Sequence, residues 1–288
     1  MTGLKNLLNS PAMIKKCILP IQKIIKTYRP DIIITDFEFF SAKAGLLAKI
    51  PVISIDNISL LFLAKLPYSL STLNEYILGR LTVKGFCHGA YHYFITSFFE
   101  AQLLHEKKYA SHVSFVPPIL RTQILAAHPT VENHIIVYQT TKTNKKLIPA
   151  LHNCPQENFI YYGCEEERQE GNIYYKKFSE TQFIKDFTSA KAVITNGGFT
   201  LIGEAIYLHK PIFCNPIKNH YEQYLNSGMV EKLGYGKYTK SITAEDIQDF
   251  IENLPQYRKN LSEYRQLGNE KLFKKLETLL EAIQKQRK

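Results

Sequence analysis

The densest group of residues able to do chemistry follows a β-rich apolar run at residues 192–195. Asn196, Gly197 and Gly198 come next, and a helix-like run that contains Thr200 follows them. Glycines let the backbone turn tightly and approach a ligand closely, and the free amides at a helix start favour anions. The sequence therefore predicts a diphosphate-type anion site here, with the Thr200 hydroxyl beside it. An ordinary strand-to-helix turn is the alternative interpretation.

Glu204 adds a carboxylate to the same predicted helix face. It lies four residues after Thr200, and residues at that spacing are neighbours on a helix. Helical side chains lean towards the N-terminus, so this carboxylate can reach over the turn and accept two hydrogen bonds from a ribose diol. Extension to solvent or pairing with a lysine is the alternative, because a carboxylate buried unpaired among Ile202, Ala205 and Ile206 is costly.

Glu222 and Gln223 form a second polar pair on a helix expected to begin near Asn219. A carboxylate supplies acceptors and an amide supplies both a donor and an acceptor, which suits the hydroxyls of a hexose. A solvated helix face explains the pair equally well in isolation.

The order and spacing of these residues resemble a known donor-binding signature. Residues 192–234 are similar to the donor site of glycosyltransferases with the GT-B fold. These include the UDP-glycosyltransferases and the bacterial lipid-linked N-acetylglucosaminyltransferase of peptidoglycan synthesis. The resemblance implies that the glycine turn faces the diphosphate of a nucleotide-sugar, that Glu204 holds the ribose, and that Glu222 and Gln223 hold the sugar. The matching positions are Thr195, Asn196, Gly197, Gly198, Glu204, Ala205, Pro211 and Asn226.

Three further donor-site candidates follow from the same resemblance. Thr140 and Thr141 follow the first strand of the second half, where some relatives carry a glycine-rich phosphate loop; here hydroxyls would have to replace the glycines. Phe178 lies where relatives contact the base. It is also a candidate for the hydrophobic core, and the core is the interpretation we favour.

Asp36 is the candidate catalytic residue. It follows the strand-like run at residues 31–35 and resembles the aspartate that orients a catalytic histidine in plant-type relatives. A carboxylate there can orient another group or act as a general base. Capping the helix that begins near Phe39 is the equally weighted alternative, and Glu38 is a weaker candidate of the same kind.

The alternation of strand-like and helix-like runs predicts an α/β fold with mainly parallel sheets. One helix is expected at residues 98–107. The pattern breaks around residues 125–133, which predicts two domains: an acceptor-side domain at 1–128, and a donor domain at 129–288 with a helical tail. Together with the resemblance, this implies two Rossmann-like domains whose parallel sheets face a cleft, the GT-B arrangement.

The first domain is expected to lack its leading strand-helix portion. Relatives begin with a strand and a glycine-rich loop that contains a histidine, and nothing before Asp31 supplies this opening. The missing loop leaves the identity of the catalytic base open.

The net charge of +10 is concentrated in the first part of the chain, where residues 1–130 hold 14 Lys and Arg against 7 Asp and Glu. This excess favours an anionic partner, such as a lipid surface, although solubility explains it equally well. The apolar run at residues 58–66 is either core or a patch that faces a membrane-bound acceptor. No motif supports nucleic-acid binding.

Several classes of protein are disfavoured. The five cysteines show no C-x-x-C spacing, which argues against a disulfide framework or a zinc site and fits the cytoplasm. No apolar run is long enough to span a bilayer. No D-x-D pair occurs, so no required metal is expected. The lack of a P-loop argues against a P-loop NTPase. No cofactor is expected, since the UDP-sugar is a donor substrate.

These features predict a glycosyltransferase that moves a sugar from a nucleotide-sugar, expected to be a UDP-sugar, to an acceptor such as a cell-envelope lipid or glycan. A cytoplasmic location at the inner face of the cell membrane would suit such an acceptor. A non-catalytic nucleotide-sugar binder or partner subunit, and a nucleotide-sugar 2-epimerase, are the alternatives.

Overall fold

The chain forms two compact units in a computed structural model that describes residues 11–67, 72–87, 89–139, 144–164 and 166–287. The first unit comprises the residues up to Pro117 together with those from Lys271 onwards, and the second runs from Pro118 to Glu270. The division thus falls eleven residues before the expected boundary, and the end of the chain belongs to the first unit.

Packing within each unit explains this difference. The side chain of Asn269 accepts a hydrogen bond from the backbone amide of Leu120 and donates one to the Leu120 carbonyl, each 2.9 Å long. These bonds tie the first residues of the second unit (residues 118–121, the linker) to its last ones. In the first unit, Leu272 and Ile283 of the last helix are buried against Ile53 and Phe94 of the sheet.

The strands and helices alternate through most of the chain, which confirms the α/β prediction. The strands are β1 (Ile33–Thr35), β2 (Val52–Asp56), β3 (Ala64–Lys65), β4 (His92–Thr96), β5 (Gln102–Leu103), β6 (Val113–Val116), β7 (Ile135–Tyr138), β8 (Phe159–Cys164), β9 (Arg168–Glu170), β10 (Ile173–Lys177), β11 (Ala192–Thr195), β12 (Ile212–Cys214) and β13 (Gly236–Tyr238).

A short helical turn (Pro11–Met13) and a π-helical segment (Ile14–Ile18) precede the first regular helix. The helices are α1 (Leu19–Tyr28), α2 (Phe39–Leu47), α3 (Leu60–Leu63), α4 (Leu73–Cys87), α5 (Glu106–Tyr109), α6 (Thr122–Leu125), α7 (Leu147–His152), α8 (Glu180–Ser189), α9 (Phe199–Tyr207), α10 (Tyr221–Lys232), α11 (Ala244–Glu252), α12 (Leu254–Leu261) and α13 (Glu270–Arg287).

In its described part the first unit contains a four-stranded parallel sheet in the order β1-β2-β4-β6. The expected helix at residues 98–107 is wrong. Instead, β5 pairs antiparallel with β3, and the amide of Leu104 donates to the carbonyl of Leu63 at 2.8 Å. Pairing with a neighbouring segment therefore overrides the local helical preference, and only α5 is helical there.

The apolar run at residues 58–66 belongs to the core of the first unit. Leu60, Leu61, Phe62 and Leu63 are all at most 7% exposed. The guanidinium of Arg80 donates to the carbonyls of Phe62 and Ala64 at 3.0 Å each, which satisfies backbone groups at the end of α3. The interpretation of this run as a membrane-facing patch is therefore wrong.

The second unit contains a seven-stranded sheet in the order β13-β12-β11-β7-β8-β10-β9. All neighbours are parallel except β9, which pairs antiparallel with β10. The strands β7 to β10 form one side of the sheet, and the later strands β11 to β13 form the other side, with β11 next to β7. The strand order therefore reverses between β7 and β11, and open parallel sheets bind ligands beyond the carboxyl ends of the strands at such a point.

One face of this sheet is covered by α7, α11 and α12. Val137, Phe159 and Phe213 of the sheet are fully buried there against side chains such as Leu151 and Phe250. The apolar core makes the sheet a rigid support for the loops at its carboxyl edge.

Candidate functional site

The turn after β11 is fixed by two side-chain hydrogen bonds that join it to other segments. The Asn196 amide group donates to the carbonyl of Asn215, and the Asn226 amide group donates to the carbonyl of Gly197, both at 3.1 Å. Gly197 has a φ of +90°, in the left-handed region that L side chains avoid. The glycine at this position is thus required by the backbone conformation.

Gly198 is the N-terminal cap of α9 and leaves the start of the helix open. A Cβ placed on Gly198 would meet no heavy atom within 4 Å. The first amides of an α-helix lie outside its internal hydrogen-bond ladder and carry the positive end of its dipole. The turn therefore has the space and the donors that an anion needs.

A cavity of about 320 Å³ lies at this turn. Its walls come from the carboxyl ends of β7 and β11, the residue after β10, and the helices α8, α9 and α10. The position is the point where the strand order reverses, and the volume suits a small ligand. The lining residues are Arg121, Tyr138, Phe178, Phe183, Thr195, Asn196, Gly198, Phe199, Thr200, Leu201, Glu204 and Gln223.

Six of the predicted donor-binding residues line this cavity: Phe178, Asn196, Gly198, Thr200, Glu204 and Gln223. A larger cavity of about 460 Å³ in the same unit is lined by residues such as Lys145, Tyr161 and Arg168. None of the predicted donor residues is among the described residues that line it. The smaller cavity is therefore the stronger candidate, despite its size.

Glu204 is buried, with 1% of its side chain exposed, and Arg121 is its partner. The Arg121 guanidinium donates from Nε to Oε1 at 2.7 Å and from Nη2 to Oε2 at 2.8 Å. Its Nη1 also donates to Glu180 at 3.0 Å. The hydrogen bonds with Glu204 raise the pKa of Arg121. The buried carboxylate therefore has the partner that its burial demands, and that partner is an arginine rather than a lysine.

The backbone before Arg121 is held firmly by other residues of the second unit. In addition to the Asn269 contacts at Leu120, Gln266 donates to the carbonyl of Pro118 at 2.7 Å. Pro118 also packs so closely against α9 that a Cβ at Gly203 would approach it to 2.7 Å. The guanidinium is thus placed by an ordered segment.

The expected sugar-binding pair is divided between two environments. Gln223 lines the cavity, and its Oε1 accepts a hydrogen bond from the amide of Ile217 at 2.9 Å. Glu222 is half-buried in the first turn of α10 and is not among the described residues of the cavity wall. Their role in holding a sugar stays a prediction.

Phe178 is 55% exposed and forms part of the cavity wall, so the favoured interpretation that it belongs to the core is wrong. Its ring lies 5.8 Å from that of Phe183 and 6.2 Å from that of Tyr138. Phe183 and the fully buried Tyr162 already fill the space beneath it, which leaves Phe178 at the surface of the aromatic cluster. An exposed aromatic face suits a nucleobase.

Of the three threonines predicted to bind the donor, one lies within the described residues. Thr200 is exposed in the first turn of α9 and lines the cavity. Thr140 and Thr141 lie outside the described residues.

Asp36 is exposed directly after β1 in the first unit. Partial burial and the charge of Asp56 raise its pKa. The cap of α2 is Glu38, whose carboxylate accepts from the amides of Phe40 at 2.9 Å and Ser41 at 2.6 Å. The interpretation of Asp36 as the helix cap is therefore wrong, and the carboxylate of Glu38 is engaged in capping.

Five lining residues escaped the sequence analysis, and the two polar ones among them are Tyr138 and Arg121. Tyr138 ends β7, and its place beside the turn follows only from the pairing of β7 with β11. Arg121 lies 83 residues before Glu204. That separation in the sequence gives no indication that the two residues pair.

In the described ranges, no group of three or more His, Cys, Asp and Glu side chains is arranged to hold a metal ion. The independence of the reaction from metal remains a prediction. Over the same residues, none of the helices combines the length and the apolar character needed to cross a membrane.

Replacing Gly197 and Gly198 separately with serine should show that only Gly197 is required by the backbone conformation of the turn. We expect Gly197→Ser to lower the free energy of unfolding by about 1–3 kcal/mol, because its φ is positive and its Cβ would lie 2.6 Å from Ser227 Oγ. Gly198→Ser is the matched control and should change it by less than about 0.5 kcal/mol, since its Cβ has space and serine is a good cap. Urea unfolding measures both, and equal effects would contradict this account of the turn.

Comparison with solved structures supports the same fold. The glycotransferase of kitacinnamycin aligns with a TM-score of 0.61 at 13% identity, over 91% of this chain and 77% of that one. UGT73P12 of Glycyrrhiza uralensis aligns with a TM-score of 0.63 at 16% identity, over 96% and 79%. Os79 of O. sativa aligns with a TM-score of 0.60 at 12% identity, over 91% and 80%. At these identities the likeness establishes the fold, which is GT-B.

No curated protein sequence matches the chain. The model of the family described as "Glycosyl transferase family 1" matches residues 1–255, most of the chain. This match covers the glycine turn, the cavity and Asp36. The chain therefore belongs to glycosyl transferase family 1 and is a glycosyltransferase of the GT-B fold.

Proposed function

We propose that the protein transfers a sugar from a nucleoside diphosphate sugar, with a UDP-sugar as the first candidate, to a membrane-associated acceptor. The observation that carries the donor assignment is the cavity at the start of α9. There the open Gly198 backbone, the Thr200 hydroxyl and an exposed aromatic ring line one cavity.

The diphosphate, the base and the sugar of a nucleotide-sugar each have a counterpart in this proposal. The diphosphate lies at the first amides of α9, where hydrogen bonds and the helix dipole stabilise its charge as it becomes the leaving group. The base lies against Phe178, beside Tyr138. The sugar extends towards Gln223 and Glu222 on α10.

Asp36 is the proposed general base that accepts the proton of the acceptor hydroxyl. It follows the carboxyl end of β1, is exposed, and has a raised pKa that brings its proton affinity closer to neutral pH. The nearby charge of Asp56 favours the protonated form and so strengthens Asp36 as a base.

Donor binding is tested by filling the space at Gly198. We expect Gly198→Val to weaken the binding of UDP by at least about tenfold in calorimetry, because the new side chain occupies the approach of the diphosphate to the helix start. Thermal unfolding should remain close to wild type, as no heavy atom lies within 4 Å of the Cβ position.

Gly228→Val is the matched control for this variant. Gly228 lies on α10, its Cβ position is equally open, and it is not among the described cavity residues. UDP should bind this control as it binds wild type. Equal affinity for the Gly198 variant would remove the diphosphate from this turn.

Catalysis is tested at Asp36. We expect Asp36→Asn to lower the transfer rate by about 100-fold or more, the range of a lost general base, while the dissociation constant of UDP stays unchanged. The wild-type rate should fall as the pH drops through the raised pKa of Asp36. In Asp56→Asn this fall should begin at a lower pH, because the repulsive charge is gone. Full activity of Asp36→Asn would exclude it as the base.

A cell-envelope lipid or glycan at the inner face of the membrane is the proposed acceptor. Of the similar structures, UGT73P12 is complexed with glycyrrhetinic acid 3-O-monoglucuronide and Os79 with a trichothecene. In this chain α1 exposes 57% of Ile24 and 78% of Tyr28, and its Lys23 and Lys26 are also exposed. Apolar and basic side chains on one helix suit an anionic lipid surface.

Sedimentation with vesicles tests this acceptor assignment. We expect wild type to sediment with vesicles that contain anionic lipid, and Ile24→Glu to stay in the supernatant, because it replaces an apolar contact with a repelled charge. Thr27→Glu adds the same charge to an exposed polar position of α1 and is the control for charge alone. Wild type that stays in solution would contradict the membrane-associated acceptor.

A further inference from the structure

Arg121 makes with Glu204 the two-point contact that a ribose diol would make. A carboxylate has about four lone-pair sites, and a ribose diol would use one site on each oxygen. The guanidinium already donates one hydrogen bond to each oxygen, at 2.7 and 2.8 Å. Arg121 therefore satisfies Glu204 in the same two-point manner as a diol would.

Little of the carboxylate is exposed to a ligand in the cavity. Glu204 has only 1% of its side chain exposed, whereas Arg121 retains 32% and faces the same cavity. Both residues line the cavity, and the guanidinium presents more exposed surface to a ligand there than the carboxylate does.

The arginine is difficult to displace from this place. Arg121 brings a full positive charge in addition to its two hydrogen bonds, whereas a diol brings neutral hydroxyls, so a diol gains less from Glu204 than Arg121 does. Glu180 holds a third donor of the guanidinium at 3.0 Å. The backbone one residue earlier is fixed by Asn269, which limits movement of the segment.

We propose that Arg121 takes the place of the ribose diol on Glu204, so that the cavity binds nucleoside diphosphates without distinguishing ribose from 2′-deoxyribose. This inference rests on the proposed function and names its donor class more closely. Donors built on deoxyribonucleoside diphosphates belong to that class together with UDP-sugars.

The remaining contacts of the cavity suit either sugar. The helix start binds the diphosphate, and the exposed face of Phe178 binds the base. Neither contact involves the 2′ hydroxyl. Affinity then depends on the two ends of the nucleotide, and the ribose between them contributes little.

The experiment compares two nucleotides that differ only in the 2′ hydroxyl, UDP and dUDP. GDP and dGDP form a second pair, so that the result does not depend on whether the cavity accepts uracil. Calorimetry on the intact wild-type chain gives the ratio of their dissociation constants. We expect a ratio below about fivefold in whichever pair binds. A lost hydrogen bond to a charged carboxylate would cost tenfold or more.

Two variants test whether Arg121 is the cause. Arg121→Met removes the donors and exposes the carboxylate, so UDP should then bind at least about tenfold more tightly than dUDP. In the double variant Arg121→Met with Glu204→Gln, the carboxylate is gone and the ratio should return to below about fivefold. The wild-type ratio needs neither variant, so the inference can be tested even if they do not fold.

The outcomes separate the two claims. A wild-type ratio of fivefold or more overturns the inference and leaves the nucleotide site in place, as does a folded Arg121→Met variant whose ratio is unchanged. If none of the four nucleotides binds wild type, the proposed function fails and the inference fails with it.

Discussion

The close contact between the turn after β11 and helix α10 is the constraint on which the site depends. A Cβ at Gly197 would lie 2.6 Å from Ser227 Oγ and 3.0 Å from the carbonyl of Gln223, so only glycine lets the two backbones approach this far. Asn226 closes the contact with a hydrogen bond to the Gly197 carbonyl. As a consequence, Gln223 is brought to the wall of the same cavity as the start of α9.

The second constraint comes from the linker rather than from the sheet. The segment that begins at Pro118 packs against α9 and is fastened by Gln266 and Asn269 near the end of the second unit. Because the linker is ordered, Arg121 reaches a carboxylate on a helix much later in the chain. The cavity therefore combines a local turn, whose geometry the neighbouring residues determine, with a distant charge that only the packing of the linker brings close.

This difference explains how much the sequence could predict. The glycine turn, Thr200 and Glu204 lie within nine residues of one another, and strand and helix spacing determines their placement, so they could be predicted together. Arg121 has no such relation to Glu204, because nothing in the spacing indicates which acid an arginine 83 residues earlier will meet. The exposure of Phe178 could not be predicted from the sequence either, because it depends on which aromatic side chains fill the space below it.

The charge of Arg121 also has a consequence for the anion site, whichever sugar the nucleotide carries. Glu204 and the start of α9 share one cavity, and an uncompensated buried carboxylate there would repel a diphosphate strongly in surroundings of low dielectric constant. The two-point pair with Arg121 cancels that charge within the wall. The start of α9 can then attract phosphate although Glu204 lies within two turns of it. A buried glutamate is therefore compatible with a site for a dianionic leaving group.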